Sequence, residues 1–389
     1  VGLFFALSGF LITRLMCVEE EAHGSVSLGG FYARRAIRIL PPAFGYLGAV
    51  SVLTVVGVAK VPWGMIGGAG IFAANYLRSG WTPDAAKYLF HLWSLSMEEQ
   101  FYLVWPVVFA LAGREWAKRG AITLIAFMPV VRVGWYFAVP GGRGDFYRAF
   151  HLGPDRFLFG CILALCWEES WMRKLAFRIG SGTAVAFLGA VVLVGSPLAD
   201  RWLGGGYSIA AGVSIRSAAS AGIVAAAIGR GPSGFVRMMT FGPLRALGLF
   251  SYSLYLWQNP FLVPVRGNWA LDMGGALACG GASYAALERP FLALRRRWRR
   301  EGAVRRGLPE TGSSNVDEIR DRPRGEAAMT RSPVMGERLG LVEDPPVIDV
   351  REKGEVAGAG VQDAALVPQD RNLADRDREG TGESLGRAG

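Results

Sequence analysis

The sequence predicts an all-α fold: a polytopic bundle of transmembrane helices followed by a disordered, polar C-terminal tail. Three observations carry that prediction. The 389-residue chain is 51% hydrophobic and 12% aromatic, with a mean hydropathy of +0.27, too apolar for an ordinary soluble enzyme. About nine to ten apolar segments follow one another between short polar loops, the pattern of a chain that crosses a bilayer repeatedly. Residues 301–389 then carry 13 Lys and Arg against 18 Asp and Glu, with no aromatic residue, a composition that cannot bury a core. The chain accordingly divides into a membrane domain, 1–295, and a charged tail, 296–389. The tail is net negative, so the basic excess belongs to the loops of the membrane domain. Positive-inside topology accounts for it without a nucleic-acid surface.

Residues 1–13, VGLFFALSGFLIT, are apolar but shorter than the roughly 20 residues that span a hydrocarbon core of about 30 Å. They read as a helix whose beginning lies upstream of Val1. The polar stretch EEEAHGSVSLGG follows, then FYARRAIRILPP. On a helix, Arg34, Arg35 and Arg38 form one cationic face, because three- and four-residue spacings stack side chains. Such a face either grips phosphate by guanidinium forks or anchors a cytoplasmic helix end by snorkelling.

Further apolar segments run at about 40–59, 62–78, 99–113, 120–138, 155–168, 180–195, 207–229, 245–264 and 269–287. The dense basic loops hold Arg34, Arg35 and Arg38; Arg114, Lys118 and Arg119; Arg173, Lys174 and Arg178; Arg230, Arg237 and Arg245; and the run at 295–300. All five face the cytoplasm if segment 62–78 dips into the membrane and returns instead of crossing. The stretch His91 to Glu99 then lies toward the outer side, and the tail is cytoplasmic. The basic run at 295–300 reads as a juxtamembrane anchor to anionic lipid.

Chemistry concentrates in residues 91–106, HLWSLSMEEQFYLVWP, where two acids lead into an apolar segment. Ionisable groups in a bilayer cost several kcal/mol and mark functional sites by default. If Glu98 starts the helix, Tyr102 lies one turn on along the same face. The alternative is that Glu98 and Glu99 simply complement the dipole of a helix N-terminus. Arg132, His151, Asp155, Arg156, Arg216 and Gln258 to Pro260 are further polar groups within or beside apolar segments, open to a role as buried pairs or as ligands. Asp155 and Arg156 suit a polar cavity, and His151 an interface. Pro260 would break or kink a helix near Tyr255 to Asn259. Cys17, Cys161, Cys166 and Cys279 have no short paired spacing and only three histidines accompany them, so neither a disulfide framework nor a metal site is expected.

Five stretches in order, LFFALSGFLIT (3–13), FYARRAIRILPP (31–42), HLWSLSMEEQFYLVWP (91–106), SYSLYLWQNP (251–260) and ALERPF (286–291), resemble the membrane acyltransferase-3 family over residues 1 to about 295. The resemblance implies a multi-pass cell-membrane enzyme. It would move an acyl group, most often acetyl, from acyl-coenzyme A to a hydroxyl of a surface carbohydrate or glycolipid. Acyl-coenzyme A would be a donor substrate, with no permanently bound cofactor. The family's Arg-x-x-Arg motif falls on Arg35 and Arg38, with Arg34 beside them, as candidates for the coenzyme A phosphates. Its Glu-x-x-x-Tyr motif falls on Glu98 and Tyr102. There Glu98 or Glu99 would orient a base or the acceptor, and Tyr102 would donate to the developing oxyanion. His91 is the imidazole nearest that motif in sequence. Two departures stand out. The family's catalytic histidine, with an arginine before it, belongs to a first transmembrane helix upstream of Val1. At Gln258 relatives commonly have histidine, and glutamine cannot take a proton. Besides an acyltransferase, an inactive interaction subunit and a transporter or flippase stay open, although the internal symmetry usual in a transporter is not evident.

Overall fold

The computed structural model describes residues 1–77, 81–229, 241–263 and 268–294. The expected tail, the basic run at 295–300, and Arg78, Arg230 and Arg237 lie outside the described residues. Within them all regular structure is helical: α1 (Gly2–His23), α2 (Leu28–Val55), α3 (Trp63–Gly70), α4 (Pro83–Leu89), α5 (Leu92–Ala138), α6 (Asp155–Leu165) and α7 (Ser170–Ile179). There follow α8 (Gly182–Leu203) and α9 (Gly205–Gly229), then α10 (Gly242–Leu249), α11 (Ser251–Leu262) and α12 (Trp269–Ser283), the last continued by a π turn at Tyr284–Glu288. Five of these, α1, α2, α5, α8 and α9, are long and apolar enough to cross a membrane.

Local chemistry sets several of the boundaries. Gly24 ends α1 in the left-handed region at φ 72°, a conformation glycine adopts without steric cost. The Ser27 hydroxyl starts α2 by accepting from the Gly30 N–H at 3.2 Å, and Thr82 does the same for α4, ahead of a proline at the first helical position. The longest helix, α5, has 47 residues and is broken at Gly113, φ 73° and ψ 168°. Up to the break it runs parallel to α1, pairing Ser8 with Glu98, Thr13 with Trp105 and Glu21 with Arg114. Beyond it the chain runs antiparallel to α6, with Lys118 on Glu169 and Arg132 on Asp155. Segments 99–113 and 120–138 are therefore the two arms of one interrupted helix. Because α5 begins at Leu92, Glu98 lies well inside it, and the helix-dipole explanation for the two acids fails.

One end of the bundle gathers the ion pairs Arg34–Glu19, Arg114–Glu21, Arg14–Glu168 and Lys118–Glu169, all within 3.0 Å. Segment 62–78 belongs to the other end. Its described residues supply only the eight-residue α3 and a 3₁₀ turn at Ala74–Tyr76. Its flanks are tied together, since the Lys60 N–H donates to the Asp84 carboxylate at 2.7 Å and the Thr82 hydroxyl donates to the Lys60 carbonyl at 3.0 Å. The segment returns to the end it left, the condition under which the five basic loops share one side. Segment 245–264, expected as one apolar run, is two helices that meet at Phe250.

The centre of the bundle is a layer of rings, with Phe157 stacked on Phe101 at 4.4 Å and tilted against Phe5 at 4.5 Å. Two glycines let α1 and α6 touch backbone to backbone. A Cβ on Gly160 would stand 1.9 Å from the Ala6 carbonyl oxygen, and one on Gly9 2.1 Å from that of Phe157. Small residues at a contact are the usual route to close packing in a bilayer, where apolar burial alone does not favour helix association.

Candidate active site

Glu98 is the centre of a polar cluster in the helical core. Its carboxylate, 5% exposed, accepts from the Ser8 hydroxyl of α1 at 2.6 Å and from the Tyr102 phenol one turn further along α5. The Arg35 guanidinium of α2 covers the Tyr102 ring at 4.7 Å from its centroid, a cation–π contact. Arg38, one turn on, is exposed, and both arginines are near enough to act electrostatically on Glu98. Neither makes a hydrogen bond or ion pair among the described residues. Glu99 is within electrostatic reach of Arg35 and Tyr252, and its Oε1 is buried without a partner. On α11 the Tyr252 phenol donates to the Ile39 carbonyl of α2 at 3.0 Å, and the Ser253 hydroxyl donates to Glu288 at 2.9 Å. Glu288 ends the π turn of α12, within electrostatic reach of Arg38.

The re-entrant segment fixes the rotation of α5. Gln100 donates to the Phe72 carbonyl at 2.8 Å and exchanges amide bonds with Asn75 at 2.9 and 3.0 Å. With Gln100 held on that side, the four-residue spacing of Glu98 and Tyr102 presents both to α1 and α2.

Two predicted residues lie elsewhere. Arg34 pairs with Glu19 at 3.0 Å, and Glu19 also accepts from the Ser27 N–H, so that arginine ties α2 to α1. His91 precedes Glu98 by seven residues, about 10 Å at 1.5 Å per residue. Its Nε2–H donates to the Leu256 carbonyl at 3.0 Å. Leu256 is four residues before Pro260, whose missing N–H leaves that carbonyl without its helical partner. His91 takes the partner's place, and α11 runs on through Pro260, so of the expected break or kink the break does not occur. The structure thus brings Arg35, Arg38, Glu98, Glu99 and Tyr102 together and leaves Arg34 and His91 outside.

Ser8, Ser253 and Glu288 join the cluster without having been singled out as site residues. Each is a polar side chain in or beside an apolar segment, inside one of the five resembling stretches. That signal was available.

Of the other polar groups, Arg132 and Asp155 form a complete buried network, both 0% exposed, with the pair at 2.9 Å. Ser214 and the Ile209 and Leu152 carbonyls take up the remaining bonds. Asn259 caps α4 by donating to the Ala86 and Lys87 carbonyls. Cys17, Cys161, Cys166 and Cys279 are all free thiols. Among the described residues no group of three His, Cys, Asp or Glu side chains could hold a metal ion.

The family model for an acyltransferase domain matches residues 1–276. The chain belongs to the membrane acyltransferase-3 family. All the cluster residues except Glu288 fall inside the match. This acyltransferase-3 chain is 29% identical over 290 residues to the O-acetyltransferase OatA of Staphylococcus aureus (strain NCTC 8325 / PS 47), covering 69% of this chain and 46% of that one. It is 27% identical over 286 residues to the peptidoglycan O-acetyltransferase OatA of Listeria monocytogenes, covering 67% and 44%. A putative peptidoglycan O-acetyltransferase of Bacillus subtilis, YrhL, is 27% identical over 326 residues, covering 75% and 50%. The chain spans about half the length of the curated relatives it matches. No solved structure matches it.

Proposed function

We propose that this chain is the membrane-embedded part of an O-acyltransferase that carries acetyl from acyl-coenzyme A to a hydroxyl of a cell-wall carbohydrate. The observation that carries the proposal is the buried Ser8–Glu98–Tyr102 cluster beside two arginines that make no ion pair among the described residues. The names of the relatives support peptidoglycan as the acceptor. The basic end of the bundle supports a cytoplasmic donor side, with the tail on that side as well.

In this scheme the exposed Arg38 receives the donor's phosphates, because a guanidinium fork matches a phosphate and a free one needs no partner displaced, and Arg35 is left for the reacting carbonyl. The acceptor oxygen attacks the thioester carbonyl. A C–O bond forms and the C–S bond breaks. The hydroxyl proton passes to a carboxylate and from there to the departing thiolate. Glu99 suits that transfer, since its Oε1 accepts no hydrogen bond, whereas Glu98 already accepts two. Tyr102 donates its hydrogen bond to Glu98, so the developing oxyanion falls to Arg35, whose donors are uncommitted. Ser8 and Glu98 hold Tyr102, and Tyr102 holds the guanidinium plane.

The test is transfer of labelled acetyl from acetyl-coenzyme A to peptidoglycan fragments by the full-length protein purified from its host and placed in liposomes. Transfer that disappears in Arg35→Ala with the fold intact is the expected result. Absence of transfer to every carbohydrate hydroxyl offered, with donor binding also absent, would sink the proposal.

A further inference from the structure

A cavity of about 720 Å³ opens between the first turns of α1 and the α5, α6 and α9 helices, lined in part by Phe5, Trp93, Arg156, Arg216, Ser217 and Ser220. It lies at the end of the bundle opposite the cluster of ion pairs. Ser8 stands one turn below Phe5 on the same face of α1, about 4.5 Å along the axis. Met97, the residue before Glu98, touches the Arg156 guanidinium through its sulfur at 3.7 Å. The cavity and the Ser8–Glu98 pair are therefore neighbours, separated by one turn of α1 and by the Met97–Arg156 contact.

Arg156 is the unusual group in this wall. It is 6% exposed, and its guanidinium donates only to the Tyr147 carbonyl at 2.6 Å, the Phe146 carbonyl at 3.0 Å and the Met97 sulfur. Asp155, its neighbour in sequence, is committed to Arg132. Arg216 across the cavity is paired with Asp200 at 3.0 Å and bonded to Ser196 and Ser208. Arg156 thus has no ion pair among the described residues. A buried charge without a counter-charge is strongly unfavourable unless something supplies one, and here the open space beside it is walled by aromatic rings, serines and two further arginines, Arg148 and Arg216, a lining that favours an anion. Aromatic faces with a few convergent polar groups are the lining of a small-molecule site.

We propose that this cavity is the acceptor site and that Arg156 selects a sugar bearing an oxyanion, a carboxylate or a phosphate, which supplies the missing counter-charge. The inference rests on the acyltransferase reading for the identity of the acceptor, but the binding itself does not require transfer. Carboxylate and phosphate share the chemistry a guanidinium fork recognises, so both are tested.

The experiment is ligand-observed NMR on the full-length protein in nanodiscs, titrating glucuronate, glucose 6-phosphate and glucose. At least one of the two anionic sugars is expected to bind about tenfold or more tighter than glucose, and the tighter one identifies the group. Arg156→Met should reduce that sugar to the affinity of glucose, and Ser217→Leu, which narrows the cavity and leaves the Arg156 bonds alone, should weaken all three. Equal binding of the three sugars by the unaltered protein would overturn the proposal without any variant having to fold. So would a preference for the anionic sugar that survives in folded Arg156→Met. Inorganic phosphate binding as tightly as either anionic sugar would overturn the sugar site in favour of a bare anion site. Selective binding without acetyl transfer would leave this inference standing and count against the transferase reading. Transfer without selective binding would do the reverse.

Discussion

Single residues in this chain divide into those whose hydrogen bonds are complete and those that are left short. Arg132 and Asp155 are of the first kind, and their value is structural. Removing one partner of a buried pair strands the other charge, at about 3–5 kcal/mol. Asp155→Ala should therefore lower the unfolding midpoint in detergent sharply, while a loss under about 1 kcal/mol would mean that Arg132 finds another partner. Glu99, Arg35 and Arg38 are of the second kind, with donors or acceptors that nothing among the described residues uses. Tyr102 stands between the two, donating to Glu98 and carrying Arg35 on its ring. Tyr102→Phe keeps the ring and removes the phenolic proton. Losing one organised donor in an active site typically lowers turnover by about 10²–10³, and an indirect positioning bond should act more weakly, by about tenfold. Acetyl transfer measured at saturating donor would show this as a fall in kcat with donor KM unchanged. A rise in KM alone would instead place Tyr102 in donor binding.

At the scale of helices, α11 shows how a bond between elements can repair a defect within one. Pro260 removes the N–H that Leu256 would have used, and His91 from the start of α5 supplies the substitute. His91→Leu should destabilise the protein by about 1–3 kcal/mol, the cost of an unsatisfied buried carbonyl. The same change in a Pro260→Ala background should cost clearly less, because the helix then satisfies Leu256 itself. Equal costs in the two backgrounds, measured as a double-mutant cycle, would show that His91 acts through its ring packing against Tyr46 and Tyr255 instead. Much of this level was legible in the sequence. The acids within residues 91–106, the arginine spacing of α2 and the apolar runs all located helices and cluster residues, because periodicity and the cost of membrane charge are local properties. The partners were not legible. Ser8 lies 90 residues from Glu98, and Leu256 lies 165 from His91, so only tertiary packing could tell a catalytic imidazole from one that completes a proline-bearing helix. The start of α5 was also misplaced, since Leu92 to Met97 alternates apolar and small polar residues and lacks a capping side chain.

For the whole molecule, the decisive feature is that segment 60–82 begins and ends at one end of the bundle while the ion-paired loops occupy the other. Charge counting made this return the condition for placing all five basic loops on one side, and the Lys60–Asp84 and Thr82–Lys60 bonds provide it physically. Sidedness then follows for every later loop, because an odd or even number of crossings before Leu92 reverses all of them together. The consequence can be checked in a variant whose four cysteines are replaced, with one cysteine returned at an exposed loop position. Lys60→Cys and Arg143→Cys, which flank the cavity end, should react with a membrane-impermeant maleimide added outside intact cells. Lys174→Cys, on the amphipathic α7 beside the paired loops, should react only after the membrane is opened. Labelling of Lys60→Cys and Lys174→Cys from the same side would mean that 62–78 crosses, and the Arg156 cavity would then face the donor compartment. The arginine-lined cavity and the Arg35–Arg38 pair would no longer serve opposite faces of one transfer, and the division of donor and acceptor between them would have to be abandoned.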